Sequence, residues 1–360
     1  MRVIVKEDDK VKVVRSHKYN FNFDKTTGVF QRWGSTKEED PNLAPAPEIL
    51  DLEISYGPCS QACAFCYKAN GSGPSVNMTF DTFVSIFNKI TKKKLLTQIA
   101  FGITDIYSNP DFFHMMEFSR EHGVIPNYTT SGFDLDDNAV KETVRLCGAT
   151  AVSIHDKEVA FNAIQKLTTA GMKQVNVHHV LMDEYYSDTF DLIDELTTDS
   201  RTKNLNALVL LAYKPKGRNA GKFHSVTDID KYRKLMEYAK SKSLNLGFDS
   251  CSAPIVFKSF DINQFDYISN VGEPCESTLF SSYINADGEF FPCSFTEGEV
   301  GWESGIPVND YDDFDSVWHH PRVEEFRLKL IPSSANCNCI YSKHCRNCPT
   351  FSVTNCHKEF

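Results

Sequence analysis

The chain has 360 residues, 41% of them hydrophobic, and a formal net charge of −10 at pH 7. This length and apolar share suit a soluble globular protein of one large barrel or two to three ordinary domains, and the acidic balance argues against nucleic acid as a bulk electrostatic partner. No run of eighteen apolar residues occurs, so no hydrophobic membrane span is read; charge interrupts the opening MRVIVKEDD within six residues, so no secretory signal is read and the cytoplasm is the expected location. In that setting twelve cysteines point to metal or redox chemistry before disulfides.

Residues 1–47 read as a small β-rich extension with a linker. VIV, VKVV and YNFNF have strand character, and DKTTG before VFQRW is a hairpin turn in which Gly28 supplies a positive φ. Pro41, Pro45 and Pro47 make PNLAPAPE an extended connection. The extension is too short for a winged helix-turn-helix peptide-binding domain.

Residues 48–245 alternate strand and helix with a regular beat, from ILDLEIS and TFDTFVSIFNKITKK to LNALVLLAY and DIDKYRKLMEYAKSKS. Helical runs carry apolar residues at i, i+3, i+4 spacing, as in Phe83, Ile86, Phe87 and Ile90, and several close on Gly123, Gly148 or Gly171. Parallel strands covered by helices follow, as an open sheet or a barrel with ligands at the carboxyl ends of the strands. In VNVH the alternation puts Asn176 with His178 and leaves His179 with Val177; in VSIH it puts Ser153 with His155. With the apolar residues packed on helices, the polar ones face an interior that holds a ligand.

Beyond residue 246 the beat stops, and eight of the twelve cysteines lie there. Such a loop-rich segment, 246–360, is expected to have little core of its own and to be cross-linked by metal.

The densest chemistry is ISYGPCSQACAFCY, where Cys59, Cys63 and Cys66 follow a strand-like run. Three thiolates at this spacing wrap one loop around a soft metal centre. A zinc loop is the alternative but wants a fourth ligand, for which Lys68 and Asn70 are poor; buried small hydrophobes are another. The spacing, with Phe65 before the last cysteine, resembles the radical S-adenosylmethionine (radical SAM) superfamily. The resemblance implies a partial (β/α)6 barrel and a [4Fe-4S] cluster on three cysteines, whose open iron chelates the amino and carboxylate groups of SAM. It also implies cofactor contacts. Phe65 would lie against adenine. Gly102, Thr104 and Asp105, in FGITD, match an acidic Gly-Gly-Glu-like motif of which only one glycine and an acid remain. Thr130 and Ser131, in NYTTSG, match a ribose-contacting position. Ser153 and His178 join them as interior candidates.

The C-terminal cysteines resemble the SPASM/twitch-like extension of that superfamily: Cys275, then Gly288-Glu-Phe-Phe-Pro-Cys293, then Cys337, Cys339, Cys345, Cys348 and Cys356. Matched by order, Cys275, Cys293 and Cys348 would hold an auxiliary [4Fe-4S] cluster, with Cys251 as fourth ligand; without Cys251 one iron would be open to substrate. Cys337, Cys339, Cys345 and Cys356 would hold a second cluster, or a zinc. Cys147, on a helical stripe with Val144, reads as core. Lys214 to Arg218, KPKGR, falls at the carboxyl rim, either meeting an anionic group of substrate or SAM or as a solvated loop.

The resemblance implies an enzyme that cleaves SAM reductively and abstracts hydrogen from a substrate carbon. A peptide or protein substrate is the first choice and a nucleotide or nucleic-acid base the second. A non-catalytic, metal-stabilised interaction module is the alternative of another class. The implied partners are a peptide or small-molecule substrate, an electron donor such as flavodoxin or ferredoxin, and a separate leader-binding protein. No Walker A, dinucleotide, HExxH or GxSxG motif competes with this reading.

Overall fold

The structure, a computed structural model, describes residues 3–39, 41–260, 273–330, 345–346 and 348–351. Cys337, Cys339 and Cys356, and with them most of the second C-terminal set, lie outside the described residues.

The N-terminal extension is a four-stranded antiparallel meander of β1 (Ile4–Glu7), β2 (Val11–Arg15), β3 (Asn20–Asp24) and β4 (Phe30–Trp33). Its β3–β4 turn is the expected one: Gly28 has φ +75, and the Asp24 carboxylate accepts the Thr26 and Thr27 N–H groups at 2.8 and 3.0 Å. The meander is pinned to the rest of the chain by buried polar bonds. Tyr19 and Arg32 both donate to Glu48, and Arg32 reaches on to Glu276 at 2.9 Å while lying over the Phe280 ring. Burial pushes Glu48 up to about 7 although Arg32 pulls it down.

The central sheet contains β5 (Ile49–Glu53), β8 (Gln98–Gly102), β9 (Ile125–Thr130), β10 (Thr150–Ser153), β11 (Val175–Leu181), β12 (Ala207–Ala212) and β13 (Leu246–Phe248), all parallel. The short strands β6 (Ser55–Tyr56) and β7 (Val76–Asn77) pair with each other and bracket the cysteine loop. Helices α1 (Phe80–Ile90), α2 (Phe112–Glu121), α3 (Asp137–Leu146), α4 (Lys157–Thr169), α5 (Asp188–Thr198), α6 (Ile229–Ser241) and α7 (Ala253–Lys258) fill the connections. Caps explain where several begin: Thr79, Asp136, Asp156 and Asp228 each accept an N–H of the first turn. Their apolar stripes then meet the sheet. Phe83, Ile86, Phe87 and Ile90 are fully buried against Ile99 and Phe101, each worth roughly 2 kcal/mol of burial.

The C-terminal extension joins the same sheet. Strands β14 (Ser281–Ile284), β15 (Glu289–Phe291) and β16 (Ile306–Pro307) extend the edge of β5, β14 parallel and the next two antiparallel, giving the order β13-β12-β11-β10-β9-β8-β5-β14-β15-β16. Two helices, α8 (Phe314–Trp318) and α9 (Pro321–Leu330), cover it. Residues 273–330 are thus better packed than the sequence suggests. Phe290, Phe291, Phe314 and Trp318 are buried, but each element is too short for a periodic window to register. Among the described residues no helix is long and apolar enough to cross a membrane.

Candidate metal and cofactor site

Cys59, Cys63 and Cys66 are half-buried in the loop between β6 and β7, beyond the carboxyl end of β5. The loop curls through Ala62 at φ +42, a left-handed conformation that costs a residue with a side chain about 1–2 kcal/mol and needs support from outside. That support comes from the segment after β12. Arg218 donates to the carbonyl oxygens of Ala62, Cys63, Ala69 and Asn70, and its backbone N–H reaches Cys66 O at 2.9 Å. Gly217 packs so closely that any Cβ would strike the carbonyl oxygens of Cys66 and Tyr67, and its φ of +73 suits glycine alone. On the opposite side the Asp105 carboxylate accepts the Ser60 N–H at 3.1 Å and its hydroxyl at 2.7 Å, while Cys59 Sγ lies 4.0 Å from Thr104 O. Burial pushes the Cys63 thiol up to about 11, and the thiols of Cys66 and Cys59 add to the rise. The His155 ring stands 3.5 Å from Cys63 Sγ and 6.0 Å, centroid to centroid, from Phe65.

The interior is polar where alternation places it. His178 Nδ1 is 3.4 Å from Thr129 Oγ1, and His178 pairs across the sheet with Ser153. His179 points the other way, to Thr189 of α5 at 3.2 Å. Burial lowers both imidazoles to about 4 and keeps them neutral. Gly102 pairs with Glu53, and the Thr104 N–H donates to Ser55. Thr130 does not share the interior face. It is 5% exposed on the side of Tyr128, which bonds Thr143 of α3, and its hydroxyl accepts the Gly132 N–H. Thr129 holds the facing position, a shift of one residue that alternation along NYTT could have shown. Ser131 is half-buried and accepts the Phe133 N–H at 3.4 Å.

Two carboxylates in this interior escaped the sequence reading. Glu53 is buried beside Lys68, which it meets at 3.0 Å, and Tyr283, whose hydroxyl donates to it at 3.0 Å; Lys68 also pairs with Glu297. Lys68, dismissed as a metal ligand, therefore joins the cysteine loop to β5 and β14. Asp51, two residues before Glu53 on the same face, has no hydrogen-bond or ion-pair partner among the described residues. It opens to water yet lies deep enough that burial raises it to about 6, as a side chain in a water-accessible interior would behave.

A second thiol set comes from four separate segments of the chain. Cys251 follows β13 at one end, Cys275 precedes β14 and Cys293 follows β15 at the other, and Cys348 comes from the C-terminal segment. Cys251 feels the thiols of Cys275 and Cys348, Cys275 those of Cys293 and Cys348, and Cys293 that of Cys348. Burial raises Cys251 strongly, Cys275 to about 12 and Cys293 to about 11. Cys251, Cys348 and Phe295 pack on Ala212 and Phe351. Cys251 and Cys348 thus lie in one packed group, with Cys275 and Cys293 within electrostatic reach of Cys348. Cys345 packs elsewhere, against Ala253 and Phe257, and Cys147 is buried with its Sγ 3.6 Å from Met116 Sδ.

The rim segment Lys214–Arg218 is not an anion site. Lys214 is 5% exposed and bonds Ala212 O and Asp249, each at 3.0 Å; Lys216 bonds Glu297 O and, at 2.9 Å, Glu299; Arg218 is taken by the cysteine loop.

The donor sets suit iron–sulfur clusters. Among the described residues no three Cys, His, Asp or Glu side chains crowd closely enough to hold a single ion. The thiolates of a four-iron cluster each bind a different iron and stand further apart. His155 lies against Cys63 alone of the three thiols, and zinc remains the competing metal to assay.

No family model and no curated protein matches the sequence. Solved structures do match. SuiB of Streptococcus suis bound to S-adenosylmethionine superposes with a TM-score of 0.67 at 15% identity, over 88% of this chain and 78% of that one. SuiB bound to the precursor peptide SuiA gives 0.71 at 13% identity, over 98% and 100%. This chain has the SuiB fold. Native anSMEcpe with bound AdoMet and Cp18Cys peptide also matches, at 0.58 and 13% identity over 84% and 90%. It is the partial barrel that the cysteine loop's resemblance implies, continued into a C-terminal extension.

Proposed function

We propose that the chain is a radical SAM enzyme with a SPASM-like extension and that it modifies a peptide. The observation that carries this reading is the three-thiol loop, held at the carboxyl ends of the strands and facing a polar, water-accessible interior. Cys59, Cys63 and Cys66 would hold a [4Fe-4S] cluster, which would supply the one-electron reductive cleavage of SAM needed for hydrogen abstraction from a substrate carbon, with a reduced flavodoxin or ferredoxin as the electron source. The chain's own residues bind and orient. Phe65 and His155 line the approach to the loop, and Gly102, Thr104, Ser131, Ser153 and His178 line the interior beside it. Asp105 acts through Ser60 by fixing the loop. Cys251, Cys275, Cys293 and Cys348 would hold an auxiliary cluster. That SuiB was solved with a precursor peptide and anSMEcpe with a Cp18Cys peptide supports a peptide substrate over a nucleotide.

The test is anaerobic reconstitution with iron and sulfide, elemental analysis for iron and zinc, and assay of 5′-deoxyadenosine with dithionite. Iron with 5′-deoxyadenosine supports the reading. Zinc at the three-cysteine loop, or no SAM cleavage by iron-loaded protein, sinks it.

A further inference from the structure

The segment leaving β12 touches both thiol sets. At its start the Lys214 ammonium lies among Ala212 O, Asp249 and the Cys251 thiol and sits 4.3 Å over the Phe295 ring, in the packed group that includes Cys348. Lys216 reaches the loop after Cys293 through Glu297 O and Glu299. Gly217 lies flat on the Cys66 and Tyr67 carbonyls. Arg218 and Asn219 finish it: the guanidinium serves Ala62, Cys63, Ala69 and Asn70, and Asn219 Nδ2 serves Ala64 O at 3.0 Å. A third link is the Tyr67 ring, next to Cys66, whose centroid lies 4.5 Å from that of Phe295, two residues after Cys293, with the rings tilted by 32°.

We propose that Lys214–Arg218 is a clasp that positions both thiol sets, Gly217 and Arg218 fixing the curl of the Cys59–Cys66 loop and Lys214 placing a permanent positive charge beside Cys251. The physical case for Arg218 is a count of donors. A guanidinium offers five N–H groups in a rigid fork, and here they meet carbonyls on both limbs of one loop, which lysine could not do. Without them Ala62 has little to hold its left-handed conformation. The case for Lys214 is charge. The potential of a cluster follows the net charge and burial around it, and a buried cation beside a ligand thiolate favours the reduced state. The consequence for clusters rests on reading these thiols as ligands; the geometry does not, and the two are tested apart.

The first measurement is alkylation of the full-length, metal-stripped chain with iodoacetamide, followed cysteine by cysteine by mass spectrometry. Cys147, buried at the end of α3, is the internal reference. In Arg218→Gln the rate at Cys63 relative to Cys147 rises at least about tenfold, the scale of losing hydrogen bonds to a charged donor, while Cys275 relative to Cys147 stays near wild type. An unchanged Cys63/Cys147 ratio overturns the clasp, and so does a rise of all sites together.

The second is potentiometric EPR of the reconstituted protein. Lys214→Gln shifts the C-terminal signal to lower potential by about tenfold in the oxidised-to-reduced ratio, ~59 mV for a one-electron couple. The N-terminal signal stays put, and Lys214→Arg restores the shifted one. No shift overturns the role of Lys214. If the wild type shows no C-terminal signal at all, the auxiliary-cluster reading fails, and alkylation still decides the clasp.

Discussion

Cys59, Cys63 and Cys66 lie within eight consecutive residues and share one loop, whereas Cys251 and Cys348 stand 97 positions apart and meet only in the folded chain, on Ala212 and Phe351. The first set is local in sequence but strained, with an alanine at positive φ held by Arg218 from six strands away. The second set is dispersed: Cys251 and Cys348 pack with Phe295 on Ala212 and Phe351, and the Lys214 ammonium lies among them. The difference teaches that legibility in sequence and self-sufficiency in structure are separate properties. The loop easiest to read depends most on a distant residue.

The largest effect should come from breaking the local set. Replacing Cys59, Cys63 and Cys66 together by Ala abolishes 5′-deoxyadenosine formation yet leaves iron on the C-terminal thiols; loss of all iron would mean the two regions are one metal site. Breaking the dispersed set should give the opposite split. Cys275→Ala loses about one cluster's iron and most substrate turnover but keeps substrate-free SAM cleavage, as Mössbauer spectra beside the product assay would show. Equal losses of cleavage and turnover would count against separate roles.

The joint between the regions comes next. Lys68→Met strands Glu53 and Glu297 without their cation, and loss of one partner from a buried ion pair typically costs 3–5 kcal/mol, measurable by urea unfolding. A change under about 1 kcal/mol would show the network to be solvent-screened.

How far the sequence anticipated this comparison depends on distance along the chain. The parallel strands, their helices and the three-thiol loop were legible because periodicity and spacing are local signals. The grouping of Cys251 with Cys275, Cys293 and Cys348 came only through a resemblance, since nothing local in the chain links the segments after β13, before β14 and after β15. The roles of Arg218, Lys68 and Asp51 were not legible, because each depends on a neighbour more than a hundred residues away or on the depth of the interior. Thr130 lies on the helix side of β9 and Thr129 on the interior side, one residue in a strand being a change of face.

Smaller effects sharpen the facing of the interior. His178→Ala should weaken SAM binding more than His179→Ala, while His179→Ala should cost roughly 1–3 kcal/mol of stability through its lost contact with α5. Equal SAM affinities would overturn the facing. Both imidazoles are held near 4 against about 6.5 unfolded, so between those pH values the unfolded chain binds protons that the folded chain refuses. Stability from this source is complete above pH 6.5 and is lost as pH falls toward 4. The double variant His178→Gln/His179→Gln should flatten that limb of a stability-versus-pH curve; an unchanged limb would assign it to carboxylates.

The central claim, that the three-thiol loop leaves an iron for SAM, is tested most directly by electron–nuclear double resonance on the reduced, reconstituted protein with SAM labelled by 15N at its amino group. The account predicts a 15N hyperfine coupling that is present in wild type and in Cys275→Ala and absent from the Cys59/Cys63/Cys66→Ala variant. A reduced N-terminal cluster that shows no coupling to labelled SAM would contradict it.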